Sequence, residues 1–197
     1  AGLVRKNHPH LEIMGATVRV LYAVERDGAG IVHPCLKDGK RPVLGIAAVV
    51  PFRWRAHGCA DAEIRLDLAR WRERADKPRR QLALLDHKLR HLNLALDPDG
   101  HPQWDALGRP MLRLREHDFE IGYFAETAYL FGEDSPEVEY ARALDDEAGQ
   151  YFTPHIRGQA QRHLRPPYWD EVRLAELRAA VKREMSRMQR NFEGLLE

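Results

Sequence analysis

The chain has 197 residues but only two cysteines, Cys35 and Cys59. Small secreted domains that depend on disulfides carry many more, so this scarcity excludes a disulfide framework. The sequence also lacks any apolar run close to the roughly 20 residues that a membrane-spanning helix requires. Together, these two absences predict a protein of the reducing cytoplasm with no membrane partner.

Net charge is nearly absent as well. The 31 lysines and arginines are opposed by 30 aspartates and glutamates, which leaves +1 at neutral pH. No overall field therefore favours a nucleic acid or a membrane surface. Arginine is nevertheless clustered within residues 53–55, 70–80 and 109–115. Such runs are usually solvated faces, but they leave nucleic-acid association open as an alternative.

Three segments in the first third of the chain predict β-strands. Residues 17–24 are β-branched and aromatic and are followed by a glycine-containing turn. Residues 43–52 form a continuous apolar run, which is typical of a strand covered on both faces. Residues 62–68 alternate apolar and charged side chains, which is typical of a half-buried or edge strand. We therefore expect an α+β fold with a small sheet of about three strands.

The first long helix is predicted to begin near Asp76, which can cap free backbone N–H groups, with Pro78 in its first turn. It is expected to continue to about Leu94. Leucines at spacings of three and four form one apolar stripe, and His87 and His91 belong to a second stripe rotated from the first.

A loop and a second helix are predicted next. Asp97–Gly100 ends the first helix and begins a loop that continues to about Pro110. The second helix is expected from about Glu116 to Phe131, with His117 at its N-terminal end.

The last third of the chain predicts a helical extension. We expect residues 1–135 to form one domain and residues 136–197 to form an extension that ends in a long amphipathic helix at about 168–196. One stripe of that helix repeats every seven residues: Leu174, Val181, Met188 and Leu195. The stripe predicts self-association or docking of a protein partner, or equally a helix packed on its own domain.

His87 and His91 are the clearest chemical signal. Histidines four residues apart on a helix project from one face about one turn apart and can bind one Zn²⁺. His117 follows after a loop long enough to fold back and deliver a third nitrogen, with His101 and Asp118 as competing ligands. Three protein ligands that leave the fourth position to water are typical of a catalytic zinc site.

These segments resemble a known family. Residues 81–91, followed by residues 114–119 and an aromatic run up to Gly132, are similar to the metallopeptidases of phage and prophage genomes, over about residues 17–132. Those proteins are zincins, with an H-E-x-x-H motif on a helix, a later histidine in an H-D pair, and a small sheet beside the helix. The resemblance implies a zincin-like fold that holds Zn²⁺.

The resemblance implies a set of zinc ligands, and this sequence differs from the family motif at one position. The ligands would be His87, His91 and His117. The family's glutamate, which takes a proton from zinc-bound water, is replaced by Lys88, and a protonated amine cannot act as a base. Lys88 could do so only if the metal lowered its pKa.

Four acidic residues near the histidines have expected roles. Glu116 and Glu120 flank His117 and are the candidates for a relocated catalytic base. Asp86 and Asp118 could orient a ligand histidine by accepting its second N–H group.

The sequence as a whole predicts a zinc-binding, metallopeptidase-like protein that lacks conventional peptidase activity and acts by binding a partner. One alternative is an active zinc metallohydrolase that uses Glu116 or Glu120 as its base. Another is a nucleic-acid-associated or assembly module that uses the arginine clusters and the C-terminal helix.

Overall fold

The computed structural model of the chain describes residues 2–117, 124–148 and 171–193. Within these ranges the helices are α1 (Gly2–Asn7), α2 (Pro9–Ile13), α3 (Phe52–Arg55), α4 (Leu68–Arg72), α5 (Pro78–Arg90), α6 (Ala125–Phe131), α7 (Pro136–Ala148) and α8 (Glu171–Glu193). The strands are β1 (Val18–Ala23), β2 (Glu25–Arg26), β3 (Val32–His33), β4 (Lys37–Asp38), β5 (Arg41–Pro42), β6 (Gly45–Val49), β7 (Ala62–Asp67), β8 (Leu92–Leu94) and β9 (Leu112–Leu114). The α+β class predicted from the sequence is confirmed.

The main sheet has three strands in the order β1–β7–β6. Strand β7 runs parallel to β1 and antiparallel to β6. Three alternate residues of β7, Ala62, Ile64 and Leu66, are completely buried in the hydrophobic core. Helix α5 contacts β6 and adds Leu84 and Leu89 to the same core.

The strand predictions agree only in part with the sheet. Residues 62–68 were expected to form a half-buried or an edge strand, and β7 is a strand with one face in the core that lies at the centre and not at an edge. Residues 43–52 were expected to be covered on both faces, yet β6 lies at an edge and is only partly buried after Gly45. The alternation of apolar and charged residues shows that one face of β7 is covered while the other exposes Arg65. It does not show how many strands lie beside β7.

The first long helix is shorter than predicted. Its N-cap residue is Lys77, not Asp76, and no side chain caps it. The helix ends at Arg90, and His91 keeps a helical conformation (φ −66°, ψ −22°) just beyond it. Residues 92–94 were expected in its last turn but form β8, because this buried segment pairs antiparallel with β9.

The second predicted helix begins later than expected. Residues 112–114 form β9, Glu116 and His117 are not helical, and α6 starts only at Ala125. Residues 95–111 return the chain from β8 to β9 and contain two isolated bridges, Leu96 with Pro102 and Trp104 with Pro110. His117 therefore follows β9 closely and is not itself helical.

The C-terminal helix packs on the chain's own core. Leu174 and Leu177 are buried, and Val181 lies against the core cluster. The prediction that the helix packs on its own domain is thus confirmed for the first half of the stripe, Leu174 and Val181. These two side chains are not free to bind a partner. The side chains of Met188 and Leu195 lie outside the described residues. In the parts of the chain that the structure describes, no helix is both long enough and apolar enough to cross a membrane.

The division at residue 135 stays a prediction. Helix α7 lies beyond that point, and it contacts both α5 and α6.

Candidate metal centre

Three imidazoles meet at the C-terminal end of α5. One ligand-capable atom from each of His87, His91 and His117 lies within 4.8 Å of the others. The Nε2 atoms of His87 and His117 are 3.4 Å apart. The sequence placed these three histidines in one site, and the structure brings them together.

Two hydrogen bonds between His91 and Arg115 bring the third histidine to the site. The chain returns through the β8–β9 pair, and the Arg115 N–H group donates to the carbonyl oxygen of His91 at 2.7 Å. The carbonyl oxygen of Arg115 lies 3.0 Å from His91 Nδ1. His117 is only two residues further on, so this pairing fixes the chain next to the end of α5.

The second ring nitrogens of two histidines are already engaged. A carbonyl oxygen can only accept, so His91 Nδ1 must donate to Arg115 and its Nε2 must carry the lone pair. His87 Nδ1 lies 2.6 Å from Oε1 of Glu137, which is contributed by α7. Such contacts fix the ring orientation of metal-binding histidines and leave Nε2 available to a metal.

Electrostatics keep these two rings neutral. Burial, together with the smaller effect of the Lys88 charge, lowers the pKa of His87 to about 3. Burial likewise lowers the pKa of His91 to about 3, against the opposing effect of its hydrogen bond to Arg115. A metal ligand must be deprotonated, so the environment favours the state that can bind a cation.

Glu137 is a buried carboxylate that sequence reasoning missed. Besides its contact with His87, its Oε1 accepts the backbone N–H group of Phe124 at 3.3 Å. Its Oε2 is buried without a hydrogen-bond partner among the described residues. Burial raises the pKa of Glu137 to about 7. A positive charge at the triad would stabilise the ionised form of this carboxylate.

Phe124 forms an apolar wall beside the triad. The residue is completely buried, and its ring centroid lies 5.2, 4.9 and 5.0 Å from those of His87, His91 and His117. The wall keeps water from one side of the imidazoles and strengthens the electrostatic interactions among them.

Lys88 occupies the position next to the first histidine, as the sequence shows. Its Cε lies 3.4 Å from the point that a Cβ on Gly45 would occupy. Burial lowers the pKa of Lys88 to about 8, while the nearby carboxylates of Glu137 and Asp38 oppose that shift. The end of the Lys88 stem therefore lies between α5 and the beginning of β6.

The other predicted site residues fall elsewhere. Glu116 is exposed. His101 lies 3.6 Å from Asp97 in the turn between β8 and β9, in a separate cluster from the triad. Asp118 and Glu120 lie outside the described residues.

Asp86 contributes to a different network from the one predicted. It accepts hydrogen bonds from Asn7 at 2.8 Å, Arg90 at 2.8 Å and Thr127 at 3.1 Å, and it lies 2.9 Å from His8 Nε2. Burial opposes ionisation, but His8 and the Arg90 charge hold the pKa of Asp86 at about 2. The carboxylate that contacts a triad histidine is therefore that of Glu137.

Many of the clustered arginines pair with carboxylates of this chain. Buried Arg55 lies 3.1 Å from Asp105 and 3.6 Å from Asp61, and Arg109 lies 2.8 Å from Asp61. Within residues 70–80, further ion pairs join Arg74 to Glu139, Arg80 to Glu139 and Arg79 to Asp134. These arginines stabilise the fold and offer less free charge to a nucleic acid than the sequence suggested.

A family model described as "putative phage metallopeptidase" matches residues 2–145. The chain belongs to this family of phage metallopeptidases. The matched region contains all three histidines and Glu137, and the resemblance inferred from the sequence is confirmed. No curated protein and no solved structure matches the chain.

Proposed function

We propose that this phage metallopeptidase family member binds Zn²⁺ through the Nε2 atoms of His87, His91 and His117. The observation that carries the proposal is the 3.4 Å separation between Nε2 of His87 and Nε2 of His117. Two ligands at about 2.0–2.1 Å from a tetrahedral ion are about 3.3 Å apart, so the spacing fits zinc.

The donor chemistry supports the same assignment. Zinc prefers neutral imidazole nitrogens, and two of these rings have their Nδ1 atoms turned to Glu137 and to the Arg115 carbonyl oxygen. We also propose that α5 and the sheet edge at β6 form a zincin-like arrangement, in which α5 is the active-site helix.

Among the described residues, three histidines converge and no fourth protein ligand joins them. A zinc ion held in this way has an open position and acts as a Lewis acid when bound. Glu137 keeps the Nδ1 proton of His87 in place, and Phe124 excludes water from one side of the rings.

We infer that conventional peptidase activity is absent and that the site acts by binding a partner. The reaction needs a carboxylate beside the metal that accepts a proton. Lys88 stands where the resemblance implies a glutamate. Glu137 lies against Nδ1 of His87, away from the nitrogen that would face the metal. Glu137 is thus a carboxylate that orients a ring and is not placed to take a proton from a metal-bound water.

The metal half of the proposal is tested by elemental analysis of the purified protein. We expect about one zinc per chain in the wild type and in the control His101→Ala, whose histidine is exposed. The double variant His87→Ala/His91→Ala should lose the ion while remaining folded by circular dichroism. Zinc that persists in the double variant would contradict the assignment.

The catalytic half is tested by restoring the carboxylate. The wild type should not cleave a panel of unstructured peptides, and Lys88→Glu should gain chelator-sensitive cleavage. Cleavage by the wild type that is abolished by Glu116→Gln or Glu120→Gln would instead favour an active metallohydrolase with a relocated base.

A further inference from the structure

A cavity of about 250 Å³ lies where residues 6–10 meet the end of α5 and the start of β8. Among the described residues that line it, none is a histidine of the triad, so the cavity is separate from the candidate metal centre. Most of its lining side chains are polar, including those of Lys6, Arg90, Asn93 and Arg115. Such a lining suits a polar ligand, because a few placed donors and acceptors fix the orientation of what binds.

Asn93 presents one hydrogen-bond donor to this cavity. The residue is 5% exposed, and its Oδ1 accepts the backbone N–H group of Leu94 at 2.9 Å, which identifies the other terminal atom as the amide nitrogen. This Nδ2 atom donates to no residue that the structure describes, and it is not one of the buried atoms left without a partner. Because the rest of the residue is buried, Nδ2 is reached from the cavity.

Arg90 presents a second donor. Its Nε donates to Asp86 at 2.8 Å and to Thr127 at 2.9 Å, and its Nη1 donates to Glu126. Its Nη2 forms no hydrogen bond with a described residue and is likewise accessible, although the residue is 8% exposed. Buried polar groups are normally hydrogen-bonded, so an acceptor inside the cavity would satisfy both donors.

Positive charges around the cavity favour an anion as the source of that acceptor. Arg115 and the exposed Lys6 line the cavity together with Arg90. His10 lines it as well; burial lowers the pKa of His10 to about 3, and the charged groups that add to this shift, those of His8 and the two arginines, are all positive. A positive field of this kind attracts an anion.

Two carboxylates limit the charge that the ligand can carry. Glu126 and the exposed Glu171 also line the cavity. Glu126 is bonded to Arg90, and Glu171 lies 4.0 Å from Arg178, so each has a cation beside it. Both would still repel a highly charged ligand more strongly than a singly charged one, because the Coulomb interaction scales with charge. Together with the small volume, this favours a small anion of low charge.

We propose that this cavity binds a small oxyanion, a carboxylate or a phosphate group, through Asn93 Nδ2 and Arg90 Nη2. A charged acceptor that takes two N–H groups at once forms the stronger class of hydrogen bond. The binding does not require a metal, because the donors belong to residues outside the triad.

Isothermal titration calorimetry of the full chain with acetate and with inorganic phosphate tests the proposal. Each titration is repeated after treatment with a chelator, which separates the cavity from any binding at a metal. Asn93→Asp keeps the acceptor for the Leu94 N–H group but replaces the donor with a negative charge, and Lys6→Met removes an exposed positive charge. Gln103→Glu and Lys77→Met make the same two charge changes at residues that do not line the cavity.

We expect acetate or phosphate to bind with and without the chelator, which also identifies the group recognised. Asn93→Asp should weaken that binding by about tenfold to hundredfold, the value of a charge-assisted hydrogen bond. Lys6→Met should weaken it by about two- to fivefold, and both controls should match the wild type.

Three results would overturn the proposal. If neither anion binds, the cavity holds only water. If binding disappears with the chelator, the anion binds at a metal and not in the cavity. If Asn93→Asp folds by circular dichroism and binds like the wild type, the anion does not contact this donor. Should Asn93→Asp not fold, an unchanged affinity in Lys6→Met would overturn the proposal in its place.

Discussion

Glu137→Gln is the sharpest probe of the metal centre, because it changes one charge without changing size. The glutamate Oε1 lies 2.6 Å from His87 Nδ1 and also accepts the Phe124 N–H group at 3.3 Å. A glutamine can still accept through its carbonyl oxygen, so the substitution mainly removes the negative charge that supports the ligand histidine. Loss of such an outer partner typically lowers metal affinity 10- to 100-fold.

We therefore expect Glu137→Gln to weaken zinc binding about tenfold, or about 1.4 kcal/mol. Glu137→Ala, which removes the acceptor as well, should weaken it by close to a hundredfold. The assay is competition with a fluorescent zinc chelator at fixed pH. Glu139→Gln is the matched control, because this residue lies two positions along α7 and pairs with Arg74 rather than with a histidine.

Two outcomes would contradict a supporting role for Glu137. If both Glu137 variants fold like the wild type and bind zinc with unchanged affinity, the contact with His87 does not support a metal ligand. If Glu139→Gln lowers zinc affinity as much as Glu137→Gln does, the effect comes from the overall charge of α7 and not from the contact with His87.

Two further predictions concern stability. A Cβ at Gly45 would lie 2.9 Å from Leu66 Cδ2 and 3.0 Å from the Arg65 carbonyl oxygen, so Gly45→Ala should destabilise the protein by about 1–3 kcal/mol in urea unfolding. Gly28→Ala, which meets nothing within 4 Å, is the control, and equal effects of the two variants would argue against the close packing of β6 on β7. Burial lowers the pKa of His10 from 6.5 to about 3, so the unfolded chain binds more protons than the folded one between those pH values. The contribution of His10 to the free energy of unfolding is complete above pH 6.5 and is lost as the pH falls towards 3, at up to about 1.4 kcal/mol per pH unit. A free energy of unfolding that depends on pH in the same way in His10→Gln as in the wild type would contradict this.

Spacing alone revealed the part of the site that lies on one helix. His87 and His91 are four residues apart, and any α-helix places such residues on one face. The structure places His117 beside His87 and His91, but His117 is not in a helix as the sequence suggested. The apolar steps towards Phe131 suggested a helix from Glu116, whereas Glu116 and His117 are not helical and follow closely after β9, which pairs with β8. Local pattern cannot show a pairing that is decided by distant residues.

Sequence patterns could not predict the contact of Glu137 with His87 or the order of the strands in the sheet. Glu137 lies 50 residues from His87 and stands in the acidic first turn of α7, where a glutamate ordinarily indicates only a helix start. The strand order β1–β7–β6 depends on which neighbours cover β7, whereas alternation reports only that one of its faces is buried. Both features arise from tertiary contacts that leave no periodic signal in the chain.

X-ray absorption at the zinc edge of the zinc-loaded protein identifies the ligands of the bound ion. We expect three imidazole nitrogens at about 2.0–2.1 Å from the ion, contributed by His87, His91 and His117. Both cysteines are free, so a sulfur ligand at about 2.3 Å would show that the metal binds at Cys35 or Cys59 instead. Such a spectrum, or one without imidazole scattering, would contradict zinc binding by the three histidines.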